Sequence, residues 1–134
     1  MGRKVAREGA MKLLFQMELN DDFSEEAKSI YLDNFDFDDS ETNYIEEAYA
    51  SIFENKDIID RYIEEQLEGW SIYRLAKVDL AVLRIAIYEI LFRKDIPVEV
   101  SINEAIESSK KYSNEDSFKF INGVLGGVVR AIEN

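Results

Sequence analysis

The chain has no cysteine and no histidine among its 134 residues. Without cysteine there is no disulfide, no thiolate nucleophile and no sulfur ligand for a metal. Without histidine the chain lacks the side chain that titrates near neutral pH and the commonest metal ligand, which excludes most acid–base, covalent and zinc chemistry. Proline occurs once, at Pro97, and glycine six times, so few turns are enforced by backbone chemistry. Long apolar runs are equally scarce. The main one, VDLAVLRIAIYEIL from Val78 to Leu91, carries Asp79, Arg84 and Glu89 and falls short of the ~20 residues that span a bilayer. The opening MGRKVAREGA lacks the apolar stretch of a signal peptide, so a cytoplasmic address with no membrane association is expected.

Positive charge is short overall. The net charge is −12, a field that ordinarily repels phosphate. Its distribution is polarised. Residues 1–17 carry Arg3, Lys4, Arg7 and Lys12 against Glu8, residues 18–68 hold 18 acids against 3 bases, and residues 69–134 balance at 9 of each.

Apolar spacing predicts helices throughout. Val5, Ala6, Ala10, Leu13, Leu14 and Met17 recur at three and four over Arg3 to Leu19. Ser24 followed by Glu25 and Glu26 is an N-cap with acids in the first turn, opening a short helix that buries Ala27, Ile30, Tyr31 and Phe35. A loop follows over residues 36–40. A third pattern runs from Glu41 through Ile45, Ala48, Tyr49, Ile52 and Phe53 and resumes at Ile58, Ile59, Tyr62, Ile63 and Leu67; the polar residues 54–57 leave open whether it breaks there. Gly69 is a helix-stopping residue, and residues 70–75 form a short helical turn.

Val78 to Leu91 is the central helix. Val78, Val82, Ile85 and Ala86 line one face and Leu83, Ile87, Ile90 and Leu91 an adjoining one, so neighbours must pack on more than one side. A turn around Pro97 separates it from a helix starting at Val100 or Ser101 and ending at Tyr112, which buries Ile102, Ala105, Ile106 and Ser109. The last helix runs from Phe118 to Ile132, capped by Asp116 or Ser117. Seven helices result, counting the short one. The nearest approach to a strand, Val98 to Ile102, is brief and follows directly on proline. The length fits one domain, and two small helical halves also fit it.

Carboxylates are the remaining metal ligands. Asp36, Asp38, Ser40 and Glu47 fall at calcium-loop positions, but Glu41 stands where that loop requires glycine, and a solvated acidic loop is the better reading. Gly123, Gly126 and Gly127 lack the Lys-Ser/Thr of a phosphate loop and sit inside a helical pattern, which favours close helix packing. Two basic clusters stand out. Arg3, Lys4 and Arg7 lie at the start of the first helix, with Phe15 and Gln16 one or two turns on. Lys110, Lys111 and Lys119 accompany Phe118 and Phe120 late in the chain, a mixture that suits phosphates and stacking on unpaired bases, although helical spacing assigns one phenylalanine to the core.

The stretches AREGAMKLLFQMEL (6–19), GWSIYRL (69–75), VDLAVLRIAIYEI (78–90), INEAIE (102–107) and DSFKFINGVLG (116–126) resemble the bacterial NusB transcription antitermination family, in family order and across the whole chain. The resemblance implies an all-α fold, one NusB-like domain built of two packed three-helix-type bundles, about 1–68 and about 69–134. It implies a non-enzymatic, cofactor-free protein that pairs with NusE, a small-subunit ribosomal protein. The pair binds boxA RNA of ribosomal RNA transcripts and promotes read-through by RNA polymerase, with other Nus factors as indirect partners. RNA-contacting positions of the family map onto Arg3, Lys4, Arg7, Phe15, Gln16, Asp79, Asp116, Ser117, Lys119 and Phe120. Asp79 and Leu80 are expected on the exposed side of the central helix, and Asp116 either caps the last helix or sits near phosphate. NusE is expected along the central helix and its neighbours.

Family arms commonly carry more basic residues than Arg3, Lys4 and Arg7, and a basic residue often stands where this chain has Leu80. Fewer phosphate contacts imply weak RNA binding by the chain alone, so NusE is expected to be needed. Other readings are a protein-interaction module, with homodimerisation possible, and a NusB-like accessory domain of ribosomal RNA cytosine methyltransferases.

Overall fold

The computed structural model describes residues 2–134, and every regular element among them is helical. The order is α1 Gly2–Asn20, α2 Glu25–Asn34, α3 Asp39–Glu54, α4 Lys56–Glu65, a single 3₁₀ turn Ile72–Arg74, α5 Lys77–Phe92, α6 Val98–Tyr112 and α7 Ser117–Glu133. Among the described residues no helix is long and apolar enough to cross a membrane.

Short polar side chains set several boundaries. Ser24 Oγ accepts from the Ala27 amide and opens α2. Asp38 accepts from the Glu41 amide at 2.8 Å while Glu41 accepts from the Asp38 amide at 2.9 Å, a reciprocal cap that starts α3 inside the expected loop. The polar interval after Phe53 does break the helix. Asn55 ends α3, and its side-chain amide donates to the Ser51 carbonyl at 2.8 Å, competing with the helical ladder before α4 begins. The chain leaves α4 through Glu68 and Gly69, whose φ values of 52° and 94° are left-handed, and only glycine adopts the second freely. Helix α6 starts directly after Pro97, ahead of the expected Val100, because a proline at the cap gives up an amide that no helical bond needs there.

Helix α5 is the centre of the packing. It touches α1, α3, α4, α6 and α7, and every residue from Asp79 to Ile90 is buried. Apolar residues of α1, α3, α4, α5 and α7 join in one contiguous core that includes Leu13, Ile45, Ile59, Leu83, Ile87, Ile121 and Leu125. The outward face expected for α5 therefore does not exist over residues 79–90, and Asp79, Arg84 and Glu89 are interior. Arg84 is satisfied by Asp60, with two bonds of 2.9 Å, and by Glu18 at 2.8 Å, which ties α5 to α4 and α1.

Some expected core residues lie at the surface. Ile30, Phe35 and Phe53 are each more than half exposed. Helix α2 packs chiefly on α1, with Lys28 reaching Glu46 and the Tyr49 ring of α3, so Tyr31 is the one residue of its length that is buried; its hydroxyl donates to the Gly9 carbonyl at 2.8 Å. Of the late glycines only Gly127 answers to close packing. A β-carbon there would stand 1.9 Å from Gln66 Oε1, whereas Gly123 faces open space.

Candidate nucleic-acid interface

The cations at the start of α1 divide between two faces. Arg7 points inward. Its Nε donates to Glu89 Oε2 at 2.7 Å and its Nη2 to Oε1 at 3.1 Å, with Glu104 a further 3.9 Å partner. Glu89, itself fully buried, also accepts from Ser101 Oγ at 2.7 Å and from the Tyr44 hydroxyl. Burial works against the Arg7 charge, but the bonds to Glu89 outweigh it and hold the guanidinium pKa above its ordinary value. Arg7 is a structural ion pair between α1 and α5, because a buried carboxylate demands a bidentate partner, and its side chain is not presented to a ligand. Arg3 and Lys4 remain outside, facing Asp95 at 4.0 Å and Glu104 at 3.5 Å.

One turn on, α1 meets the end of α6. Glu8 accepts from the Tyr112 hydroxyl at 3.0 Å and from Lys111 Nζ at 3.2 and 3.4 Å. Lys12 and Lys111 each place Nζ 5.1 Å from the centroid of the Tyr112 ring. Partial burial pushes the Glu8 carboxyl up, and the bonds from Lys111 and Tyr112 more than offset this, leaving it below the ordinary carboxylate range. Beyond the loop, Lys110 and Lys119 stand over the half-buried Phe118 ring at 4.9 and 6.0 Å, and Phe120 is exposed. Neither phenylalanine belongs to the core, contrary to the expectation from spacing; Ile121, Val124, Leu125 and Val128 occupy that role on α7.

At the opening of α7, Asp79 and Ser117 are buried together. The Ser117 hydroxyl lies 3.3 Å from Asp79 Oδ2 and 3.0 Å from Asn114 Oδ1, and it accepts from Ser113. Asp79 Oδ1 has no protein hydrogen-bond partner among the described residues. Asp79 thus sits under the start of α7, where α5 packs against it, instead of on a solvent face. Asp116 occupies the cap position, but its φ of −98° and ψ of −3° turn it away from capping geometry and its side chain makes no cap bond. Phe15 is half-buried against the core, and Gln16 lines a groove between α1 and α2 with Met17 and Ile30. Of the ten expected site residues, Lys119 and Phe120 share the outer surface of α7's start, Arg3 and Lys4 that of α1's start, and Arg7, Asp79 and Ser117 are interior. Lys12 and Tyr112 join this surface without having been singled out, and Lys111, noted in the late basic cluster, joins it without having been mapped as an RNA-contacting position. Their one sequence signal was the adjacency of lysine and aromatic residues.

The NusB family model matches residues 4–130. The chain belongs to the NusB family. The transcription antitermination protein NusB of Acetivibrio thermocellus is 47% identical over 130 residues, covering 97% of this chain and 90% of that protein. NusB of T. maritima is 41% identical in a solved structure, with a TM-score of 0.88 and coverage of 97% of this chain and 92% of the other. A solved structure of antitermination factors NusB and NusE in complex with double-stranded RNA is 27% identical, with a TM-score of 0.84 and coverage of 96% of each chain. These relatives are antitermination factors, not methyltransferases, so the NusB reading is favoured over the methyltransferase accessory.

Proposed function

We propose that this NusB-family chain is a non-enzymatic, cofactor-free antitermination factor that, together with NusE, binds boxA RNA of ribosomal RNA transcripts and promotes read-through by RNA polymerase. It acts in the cytoplasm, where transcripts are made, and meets other Nus factors and the polymerase through that complex. Residues 1–68 and 69–134 serve as the two subdomains of one domain, held together by the Arg7–Glu89 and Arg84–Asp60–Glu18 pairs.

The observation that carries the reading is the outer surface where α1, the end of α6 and the start of α7 converge. Lys12, Lys110, Lys111 and Lys119 gather there around Tyr112 and Phe118, with Phe120 exposed on the same opening turn of α7, in a chain whose residues 18–68 are strongly acidic. Cations fix a phosphate backbone, and exposed aromatic rings accept unpaired bases. The acidic remainder repels RNA, which confines binding to this surface.

Labelled boxA RNA titrated with the chain, with and without NusE, tests this. Weak binding alone and tight, salt-dependent binding with NusE are expected. No binding in either case refutes it.

A further inference from the structure

The cations at the start of α1 are largely committed to acids. Arg7 is bonded to Glu89, and Arg3 and Lys4 face Asp95 and Glu104. Lys12, by contrast, has no carboxylate within ion-pair distance among the described residues, and it is exposed. It is not loose, however. Lys12 from α1 and Lys111 from α6 are gathered on one tyrosine ring at equal distances, so their ammonium groups lie no farther apart than twice 5.1 Å. The ring is fixed in turn, because the Tyr112 hydroxyl donates to Glu8, which also anchors Lys111.

Resting on the RNA-binding function proposed above, we infer that Lys12 and Lys111 form a two-lysine clamp on adjacent phosphates of the RNA backbone, with Tyr112 and Glu8 as its positioning residues. Flexible lysines ordinarily lose side-chain freedom when they grip a phosphate; a pair already seated on an aromatic ring loses less. The cations occupy Tyr112, as Lys110 and Lys119 occupy Phe118, so these rings order lysines and leave base stacking to the exposed Phe120. Glu8 has two opposed effects. It holds Lys111 and Tyr112 in place, and its negative charge repels the incoming phosphate. Two cations against one carboxylate leave an excess positive charge directed at the ligand. The clamp supplies phosphate contacts that the short, self-paired arm does not.

Affinity of the chain–NusE pair for labelled boxA RNA, measured across a series of potassium chloride concentrations, separates the parts. Lys12→Gln and Lys111→Gln are each expected to lower the slope of log affinity against log salt by about 0.7, which at 0.15 M relative to 1 M salt corresponds to about fourfold weaker binding. The double variant is expected to lose about 1.4 from the slope and bind about fifteenfold more weakly. Glu8→Gln keeps an acceptor for Tyr112 but removes the charge that anchors Lys111, and is expected to weaken binding even though it takes a negative charge off the surface. Binding that tightens or stays unchanged in Glu8→Gln would overturn its role as a positioning residue. Wild-type slope and affinity in the double variant, with wild-type RNA binding intact, overturn the clamp alone. Absence of RNA binding by the wild-type pair overturns the RNA-binding function and the clamp together.

Discussion

Replacing Arg7 by methionine removes the charge while keeping the apolar stem, and it isolates what the buried pair contributes. The Arg7 side chain is 9% exposed and that of Glu89 1%, joined by two bonds of 2.7 and 3.1 Å. Deleting one partner of such a pair leaves an uncompensated buried carboxylate, a loss of about 3–5 kcal/mol. The Tyr44 hydroxyl and Ser101 Oγ still donate to Glu89, which places the expected value near the lower end, at roughly 3 kcal/mol. For a domain of this size that lowers the melting temperature by about 10 °C. Arg7→Glu is worse, because it sets two buried carboxylates against each other, so loss of RNA binding in that variant would report unfolding and not a lost phosphate contact. The double change Arg7→Met with Glu89→Leu removes both charges and should recover part of the loss, since a buried pair is often replaceable by apolar groups. Urea denaturation followed by circular dichroism measures all three. A cost below about 0.5 kcal/mol for Arg7→Met, the range of ordinary surface changes, would refute the assignment of Arg7 to the interior.

Asp116→Asn should leave stability within about 0.5 kcal/mol, because Asp116 makes no cap bond and only its interaction with the α7 dipole is lost; chemical denaturation checks this. The same change should raise RNA affinity if phosphate approaches the start of α7, and an unchanged affinity places the backbone elsewhere. The Glu8 carboxyl is held below its unfolded value of 4.5, so the stability it contributes is fully present above that pH and is lost as pH falls through the lower folded value. Acid titration of the melting temperature should therefore be shallower in Glu8→Gln than in the wild type below about pH 4.5, and parallel curves would contradict the Lys111 and Tyr112 bonds.

Helix positions were largely legible in the sequence because their signals are local. The period of α1, the Ser24 cap, the stop at Gly69 and the length of α5 depend on residues within a turn or two. What escaped was long-range. Arg7 reads as a solvated cation at a helix start because its partner Glu89 is 82 residues away, and nothing in periodicity announces that pairing. Asp79, Arg84 and Glu89 interrupt an apolar run and so suggest an outward stripe, but α5 is enclosed on all sides and each charge enters the interior. Ile30 and Phe35 show the reverse, since spacing assigns them to a core that α2, leaning on α1, does not complete. The basic surface was half visible. Lysine clusters are apparent in one dimension, whereas the meeting of Glu8 and Lys12 with Lys111 and Tyr112 is a property of how α1 crosses the end of α6.

The titration of boxA RNA against the chain with NusE present, repeated over a range of salt concentrations, tests the central claim most directly. Tight binding whose affinity falls linearly with log salt, and which depends on the surface lysines of α1, α6 and α7, is the result expected. Binding that is absent, or that is insensitive both to salt and to those lysines, would contradict it.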